Sequence, residues 1–204
     1  MSEELFIKIA DLTYGISILP FTIAVYLFIR KRVFKIASVI ATVLFITCTS
    51  NTILYKSGFG HIQEQFLVYD IFETICWLLL IIKIIRFRLL KILPFLYLIF
   101  ISTIFLLDIK IDLEIISKAI QFILGILLLK QALKSDKYEV NSYITYLSIG
   151  LLTYSFTIIN LSIFKNVIFE MNKSSFSTTW FVYQFSTITY SCLLSISIWK
   201  SQKI

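Results

Sequence analysis

The residues of this sequence best suited to binding a ligand are polar side chains inside otherwise apolar runs. Glu73 lies within the apolar run 66–85, with Tyr69 one helical turn before it and Trp77 one turn after it. This spacing places the three side chains on one helix face, while Asp70 flanks that face nearer the start of the run. A carboxylate about 10 Å inside a bilayer must be protonated, paired or hydrated. We therefore predict that Glu73 belongs to a binding site.

Two further runs supply polar partners for Glu73. Lys118 and Gln121 lie at a similar depth in the run 114–133, which makes Lys118 the leading candidate for the counter-ion of Glu73. The last run carries a polar stripe of Gln184, Thr187, Ser191 and Ser195, in which the hydroxyl residues are expected to pack between helices. The predicted ligand-binding residues are Tyr69, Glu73, Trp77, Lys118, Gln121, Tyr183 and Gln184.

The other ionisable residues carry no catalytic or metal-binding pattern. Asp70 and Asp108 lie near the ends of their runs and are expected to be solvated, and His61 is expected to be a loop residue. The sequence lacks HExxH, CxxC, GxSxG and a phosphate-binding glycine loop. We therefore expect no metal, no other cofactor and no enzymatic activity, although a mechanism that uses carboxylates alone stays open. The cysteines, expected to be small buried packing residues, are Cys48, Cys76 and Cys192.

The composition is typical of an integral membrane protein. The 204 residues are 58% hydrophobic and 15% charged, with only 5 Gly and 2 Pro, and the mean hydropathy is +0.89. A soluble protein of this size could not keep so much apolar surface from water. Continuous apolar stretches such as 75–85 also exclude the alternation of a membrane β-barrel.

The predicted fold class is an all-α membrane protein, a seven-transmembrane helix bundle that forms a single domain over residues 1–204. The predicted spans are about 12–29, 36–55, 66–85, 89–107, 114–133, 141–164 and 180–199. The fourth and fifth spans are the least secure because charged residues lie within them, and losing both would leave five.

The distribution of charge predicts the orientation of the spans. Most of the 19 Lys and Arg fall in alternate connections, around 30–35, 83–91, 130–137 and 200–203, whereas acidic residues concentrate in the other connections. Cationic connections are retained in the cytoplasm, so the N-terminus is expected outside and the C-terminus inside a bacterial cytoplasmic membrane. The net charge of +7 then matches anionic membrane lipid and gives no reason to expect nucleic acid as a partner. The acidic start predicts that the first span is an uncleaved anchor.

A weak internal repeat relates the second and third spans to the sixth and seventh. Asn51–Lys56 resembles Asn160–Lys165, and Phe66–Asp70 resembles Trp180–Gln184. With the fourth span as a linker, spans 1–3 and 5–7 would form two units of the same orientation, a 3+1+3 plan. Independent enrichment of aromatic residues at a membrane interface explains the same similarity equally well.

The third and seventh spans carry a resemblance to a known group of proteins. The third contains Tyr69-Asp-Ile-Phe-Glu73-Thr, then an apolar run and the basic residues Lys83, Arg86 and Arg88, and the seventh runs from Trp180 to Trp199. This pattern resembles uncharacterised small seven-helix proteins of Gram-negative bacteria that accompany sensor kinases. The resemblance implies a receptor or signal-input role.

Three functions fit the sequence. The first is a sensor or accessory signalling subunit with an outward-facing polar pocket for a small molecule, whose basic inner connections contact a cytoplasmic partner or lipid headgroups. The second is a small-solute carrier of the 3+1+3 type, and the third is a structural anchor of a complex. The inner halves of spans 3 and 5, such as 78–82 and 123–129, are apolar, which favours sensing or anchoring over a transport path. Tyr146 and Ser195 extend polar stripes inward and weaken that preference.

Overall fold

Every element of the described chain is a helix. The computed structural model describes residues 3–30, 62–85, 91–107, 112–134, 142–170 and 173–201. The helices are α1 (Glu3–Ser17), α2 (Leu19–Ile29), α3 (Ile62–Ile85), α4 (Leu93–Leu106), α5 (Leu113–Leu133), α6 (Ser142–Glu170) and α7 (Lys173–Lys200).

Six of the seven predicted spans coincide with these helices, and the second, 36–55, lies outside the described residues. The fourth and fifth predicted spans, the least secure in the sequence, are both helical. Several helices are longer than the apolar runs that predicted them, and α6 continues to Glu170. A helix satisfies its own backbone hydrogen bonds, so it does not have to end where the apolar residues end.

The first predicted span is divided at Ile18 into α1 and α2. Pro20 explains the division, because it has no backbone N–H to donate to the carbonyl one turn earlier. The backbone N–H and the hydroxyl of Thr22 both donate to the Ile18 carbonyl, at 2.9 and 3.1 Å. The Ser17 hydroxyl donates to the Tyr14 carbonyl at 2.7 Å. Side-chain hydroxyls thus add hydrogen bonds to backbone carbonyl groups next to the break.

The helices pack as a chain of neighbours around α5, α6 and α7. Helix α6 lies between α5 and α7, α3 packs against α5, α4 packs against α3, and both α1 and α2 pack against α7. The completely buried side chains include Trp77, Leu80, Leu128 and Leu151. Gly125 and Gly150 are buried where α6 meets its two neighbours, and the absence of a side chain there lets the backbones approach closely.

The outside of the bundle is strongly apolar. Leu106 is 84% exposed, Leu133 79% and Phe95 64%. By length and composition, two of the described helices qualify to cross a membrane, over Tyr143–Phe164 and Phe181–Lys200, and shorter apolar stretches occupy Asp11–Leu27 and Leu93–Ile104.

Candidate functional site

A buried lysine is the centre of the main polar cluster in the described chain. Lys118 on α5 is 1% exposed. Its ammonium nitrogen lies 2.7 Å from Asp70 Oδ1 and 2.8 Å from Glu73 Oε2, both on α3. The Gln121 amide oxygen lies 3.5 Å from the same nitrogen. The three N–H donors of the ammonium group therefore each have an acceptor in reach.

Glu73 receives hydrogen bonds on both carboxylate oxygens. Lys118 and the Gln121 amide donate to Oε2 at 2.8 and 3.3 Å, and the Tyr190 hydroxyl on α7 donates to Oε1 at 3.0 Å. The second N–H of the Gln121 amide donates to the Thr74 hydroxyl at 2.9 Å. These bonds join α3, α5 and α7 through side chains that are all buried.

Aromatic rings close the cluster on its other sides. The Lys118 ammonium lies 4.9 Å from the centre of the Tyr154 ring on α6, a distance at which a cation is attracted to the ring face. Tyr154 and Tyr190 stack with their centres 4.6 Å apart and their planes 12° apart. Trp77 is fully buried with its ring 6.5 Å from that of Tyr190. Its indole N–H makes no hydrogen bond of ordinary geometry within the described residues, although the Tyr190 hydroxyl lies close enough to interact with it.

We call this set the Lys118 cluster. It comprises Asp70, Glu73, Thr74, Lys118, Gln121, Tyr154 and Tyr190. Next to it, the hydroxyls of Tyr97 on α4 and Ser117 on α5 share a hydrogen bond of 2.7 Å, which links α4 to the same region.

Helix periodicity explains how the chain assembles the cluster. Asp70 and Glu73 are three residues apart on α3, and Lys118 and Gln121 are three residues apart on α5, so each pair projects from one face. Because α3 packs directly on α5, the two faces meet, and the long Lys118 side chain reaches both carboxylates. Charged pairs of this kind persist away from water only when their remaining polar atoms are also satisfied. At Glu73 these additional hydrogen bonds come from the Gln121 amide and the Tyr190 hydroxyl.

The cluster contains more negative than positive charge. Two carboxyl groups lie within 3 Å of the single ammonium group, and each further partner, whether hydroxyl, amide or phenol, is neutral in its ordinary form. With both carboxyl groups ionised, the cluster would carry one unit of negative charge away from bulk water. Such a site can bind one further positive charge or a proton.

The structure confirms that Lys118 is the counter-ion of Glu73. It also brings Gln121 and Trp77 to the site as predicted. The prediction that Asp70 is solvated was wrong, since its side chain is 13% exposed and pairs with Lys118. Its position three residues before Glu73 places it on the same face, and this outweighs its position nearer the end of the span.

The remaining predicted binding residues are not part of the Lys118 cluster as defined above. Among the described residues no hydrogen bond or ion pair joins Gln184 to the cluster, and it lies almost two turns before Tyr190 on α7. Tyr183 is half-buried and packs against the apolar core. The side chain of Tyr69 lies outside the described part of the structure, as do Asp108, His61 and Cys48.

Sequence reasoning missed the two tyrosines that close the cluster. Tyr190 lies three residues after Thr187 and beside Ser191, so it belongs to the polar face already recognised on the last span. Tyr154 lies four residues after Gly150 and three before Thr157, so it shares a helix face with these small or polar residues of the sixth span. Both could have been found by treating the tyrosine hydroxyl as polar, since it finds a hydrogen-bond partner when buried.

Within the described ranges no group of three His, Cys, Asp or Glu is placed to hold a metal ion. Cys76 is buried and Cys192 half-buried, and neither forms a disulfide. Comparison of the chain with protein-family models, with curated proteins and with solved structures finds no match. The resemblance to seven-helix proteins that accompany sensor kinases therefore stays a prediction.

Proposed function

We propose that this chain is a multi-pass protein of a bacterial cytoplasmic membrane, with seven spans, an external N-terminus and a cytoplasmic C-terminus. Support comes from the residues that the surface exposes and from the charged residues that the interior holds. Large apolar side chains such as Phe95 and Phe156 face outward, while Lys118 and Glu73 lie inside. Lipid is the solvent that suits such a surface.

The ends of the helices support the proposed orientation. Tyr26 stacks on Trp199, and Lys200 lies 4.4 Å from the ring of Tyr146 near the start of α6. Arg30, one residue after α2, lies over the ring of Tyr26, so it shares this end of the bundle with Lys200. Cations at one end of a membrane bundle favour the cytoplasmic side for that end.

The orientation can be tested with single cysteines in a variant whose three native cysteines are replaced. We expect a cysteine at Lys134 to react with a membrane-impermeant thiol reagent only after the cells are opened. A cysteine at Ser2 is expected to react in intact cells. Labelling of both positions from the same side would contradict the proposed topology.

Within the membrane, we propose a sensor or accessory signalling subunit that responds to a small ligand at the Lys118 cluster. The observation that carries this proposal is that one ionic cluster joins α3, α5 and α7. A ligand that competes for Glu73 would alter contacts in all three helices at once, which is how binding becomes a conformational signal. The partner would be a cytoplasmic protein at the basic inner connections, as the sequence predicts.

A ligand screen tests this role. Full-length protein in lipid nanodiscs is heated with a panel of amino acids, short carboxylic acids and polyamines, and the shift in Tm is measured. We expect a compound that raises the Tm of the wild type but not of Glu73→Gln. The matched control is Tyr190→Phe, which retains the charged groups and is expected to respond with reduced affinity. A panel that shifts no Tm would favour a structural anchor instead.

A small-solute carrier is the second candidate, and one feature of the packing favours it. In the proposed 3+1+3 plan, span 1 corresponds to span 5 and span 3 to span 7. The contact between α3 and α5 would then correspond to the contact between α7 and α1, and both contacts are present. Uptake of a compound that raises the Tm into proteoliposomes would establish the carrier role, whereas binding without uptake would support sensing.

A further inference from the structure

The two carboxyl groups beside Lys118 differ in how they are bonded. Glu73 accepts hydrogen bonds from Lys118, Gln121 and Tyr190, which together use both of its oxygens. Asp70 is held through Oδ1 alone, by Lys118 at 2.7 Å. Within the described residues, Asp70 Oδ2 is therefore the one carboxylate oxygen of the cluster with no hydrogen-bond donor.

This asymmetry decides where an additional positive charge can reside. Three donors stabilise the ionised form of Glu73, whereas Lys118 is the single donor to Asp70 among the described residues. The exposed fraction of the side chain is similar for the two carboxyl groups, 13% for Asp70 and 10% for Glu73. Within the described residues, Asp70 thus differs from Glu73 in its open oxygen and not in its access to water.

The geometry favours a proton over a metal cation. A sodium or calcium ion needs about six oxygen ligands around it, whereas a proton needs only one acceptor oxygen. Of the oxygens near Asp70, those of Glu73 already accept from three donors, and Lys118 places its own positive charge between the two carboxyl groups. A second cation at this place would face the ammonium group at close range.

We propose that the Asp70 carboxyl group binds one exchangeable proton, which makes the Lys118 cluster a proton-binding site. The proton comes from water at the outer side, forms an O–H bond at Oδ2, and returns to water when it is released. The protonated cluster holds one carboxylate and one ammonium and is neutral. The deprotonated cluster carries one negative charge and holds Lys118 between two carboxylates.

Proton binding would change how firmly α3 is held on α5. With Asp70 ionised, Lys118 pairs with two carboxylates on α3. With Asp70 protonated, only Glu73 remains as a charged partner, and the contact between the two helices weakens. This inference rests on the proposed sensing role and deepens it by naming the proton as a ligand of the same site.

Several other ionisable groups lie near Asp70 and must be included in any account of its pH dependence. They are Glu73 on its own helix, Asp112, Glu114 and Lys118 from the α5 side, Tyr97 on α4, Tyr154 on α6 and Tyr190 on α7. The acidic neighbours add to the negative charge that favours proton uptake at Asp70.

Infrared difference spectroscopy of the full chain in nanodiscs tests the proposal directly. Between about pH 9 and about pH 4, a protonated carboxyl group away from water gains a C=O stretching band at higher frequency than surface carboxyl groups. We expect this band in the wild type, its complete loss in Asp70→Asn, and its retention in Asp70→Glu. Asp11→Asn on α1, where Asp11 is exposed, is the matched control and should retain the band.

Trp77 provides a second measurement on the same protein. With Trp180→Phe and Trp199→Phe it is the only one of the 3 tryptophans left, and it lies one turn from Glu73 in the wall of the site. We expect its fluorescence to follow the same proton-binding curve, unchanged when sodium chloride replaces choline chloride. Asp70→Asn should abolish the pH response while circular dichroism confirms that the helices are intact.

Each alternative outcome overturns the proposal. A band that survives in a folded Asp70→Asn variant, or that disappears in Glu73→Gln but not in Asp70→Asn, would place the proton elsewhere. A folded Asp70→Glu variant without the band would also contradict it, as would a sodium-dependent fluorescence change at fixed pH. These measurements need neither a signalling partner nor a second ligand, so their failure is distinguishable from failure of the proposed sensing role.

Discussion

Replacing Lys118 by Met is expected to lower the free energy of unfolding by about 3–5 kcal/mol, the usual effect of removing one member of a buried ion pair. The substitution leaves the Asp70 and Glu73 carboxyl groups next to each other with no cation between them. At least one must then bind a proton or draw water into the bundle. Thermal unfolding in nanodiscs, followed by circular dichroism, measures the effect.

Two sets of variants separate this charge effect from loss of packing. Lys130→Met removes a lysine from the exposed side of the same helix and is expected to change the free energy of unfolding by less than about 0.5 kcal/mol. Combining Lys118→Met with Asp70→Asn and Glu73→Gln should recover most of the lost stability, because no buried charge remains. If the triple variant is as unstable as Lys118→Met, the packing of the lysine stem would be the main contribution instead.

The pairing of Glu73 with Lys118 was predictable because an unpaired carboxylate away from water has a high free-energy cost. A carboxylate deep in an apolar run needs a partner, and Lys118 was at the matching depth on another run. For Asp70, a prediction based only on its depth in the apolar run was wrong. Its place near the end of the span suggested water, but the face it shares with Glu73 and the reach of the lysine stem bring it into the cluster.

The aromatic part of the site was not predictable from hydropathy. A tyrosine within a span satisfies an apolar pattern, so neither Tyr154 nor Tyr190 stood out from its neighbours. The Tyr190 hydroxyl on α7 reaches Glu73 on α3, and the two residues are 117 positions apart in the sequence. Such a contact follows from the arrangement of the helices, which periodicity does not specify.

The presence of the helices was more predictable than the residues at which they begin and end. Long apolar runs predicted six of the helical regions, because a segment expected to cross lipid must close its own backbone hydrogen bonds. The division at Ile18 needed local chemistry, namely the missing N–H of Pro20. The 3+1+3 plan stays a proposal, since the second span of its first unit lies outside the described residues.

Two turns along α5 from Lys118, on the same helix face, Gly125 makes a tight contact with α6. A Cβ atom added at Gly125 would lie 2.8 Å from Leu152 Cγ and 3.4 Å from the Leu152 backbone nitrogen. Replacing Gly125 by Leu should therefore push α5 away from α6 and cost about 1–3 kcal/mol, the range for an overpacked interior. The same movement would carry Lys118 away from the Tyr154 ring on α6.

Variants at three glycines with different amounts of space around them should differ in stability. Thermal unfolding and the fluorescence of Trp77 measure the differences. A Cβ at Gly150 would lie 3.1 Å from Leu193 Cβ, so Gly150→Ala should have an intermediate effect. A Cβ at Gly15 meets nothing within 4 Å, so Gly15→Ala should be neutral or add up to about 1 kcal/mol through helix propensity. We expect stability to fall in the order Gly15→Ala, Gly150→Ala, Gly125→Leu. An equally stable Gly125→Leu variant would mean that α5 and α6 do not pack closely at this point, and the geometry of the cluster would then lose its support.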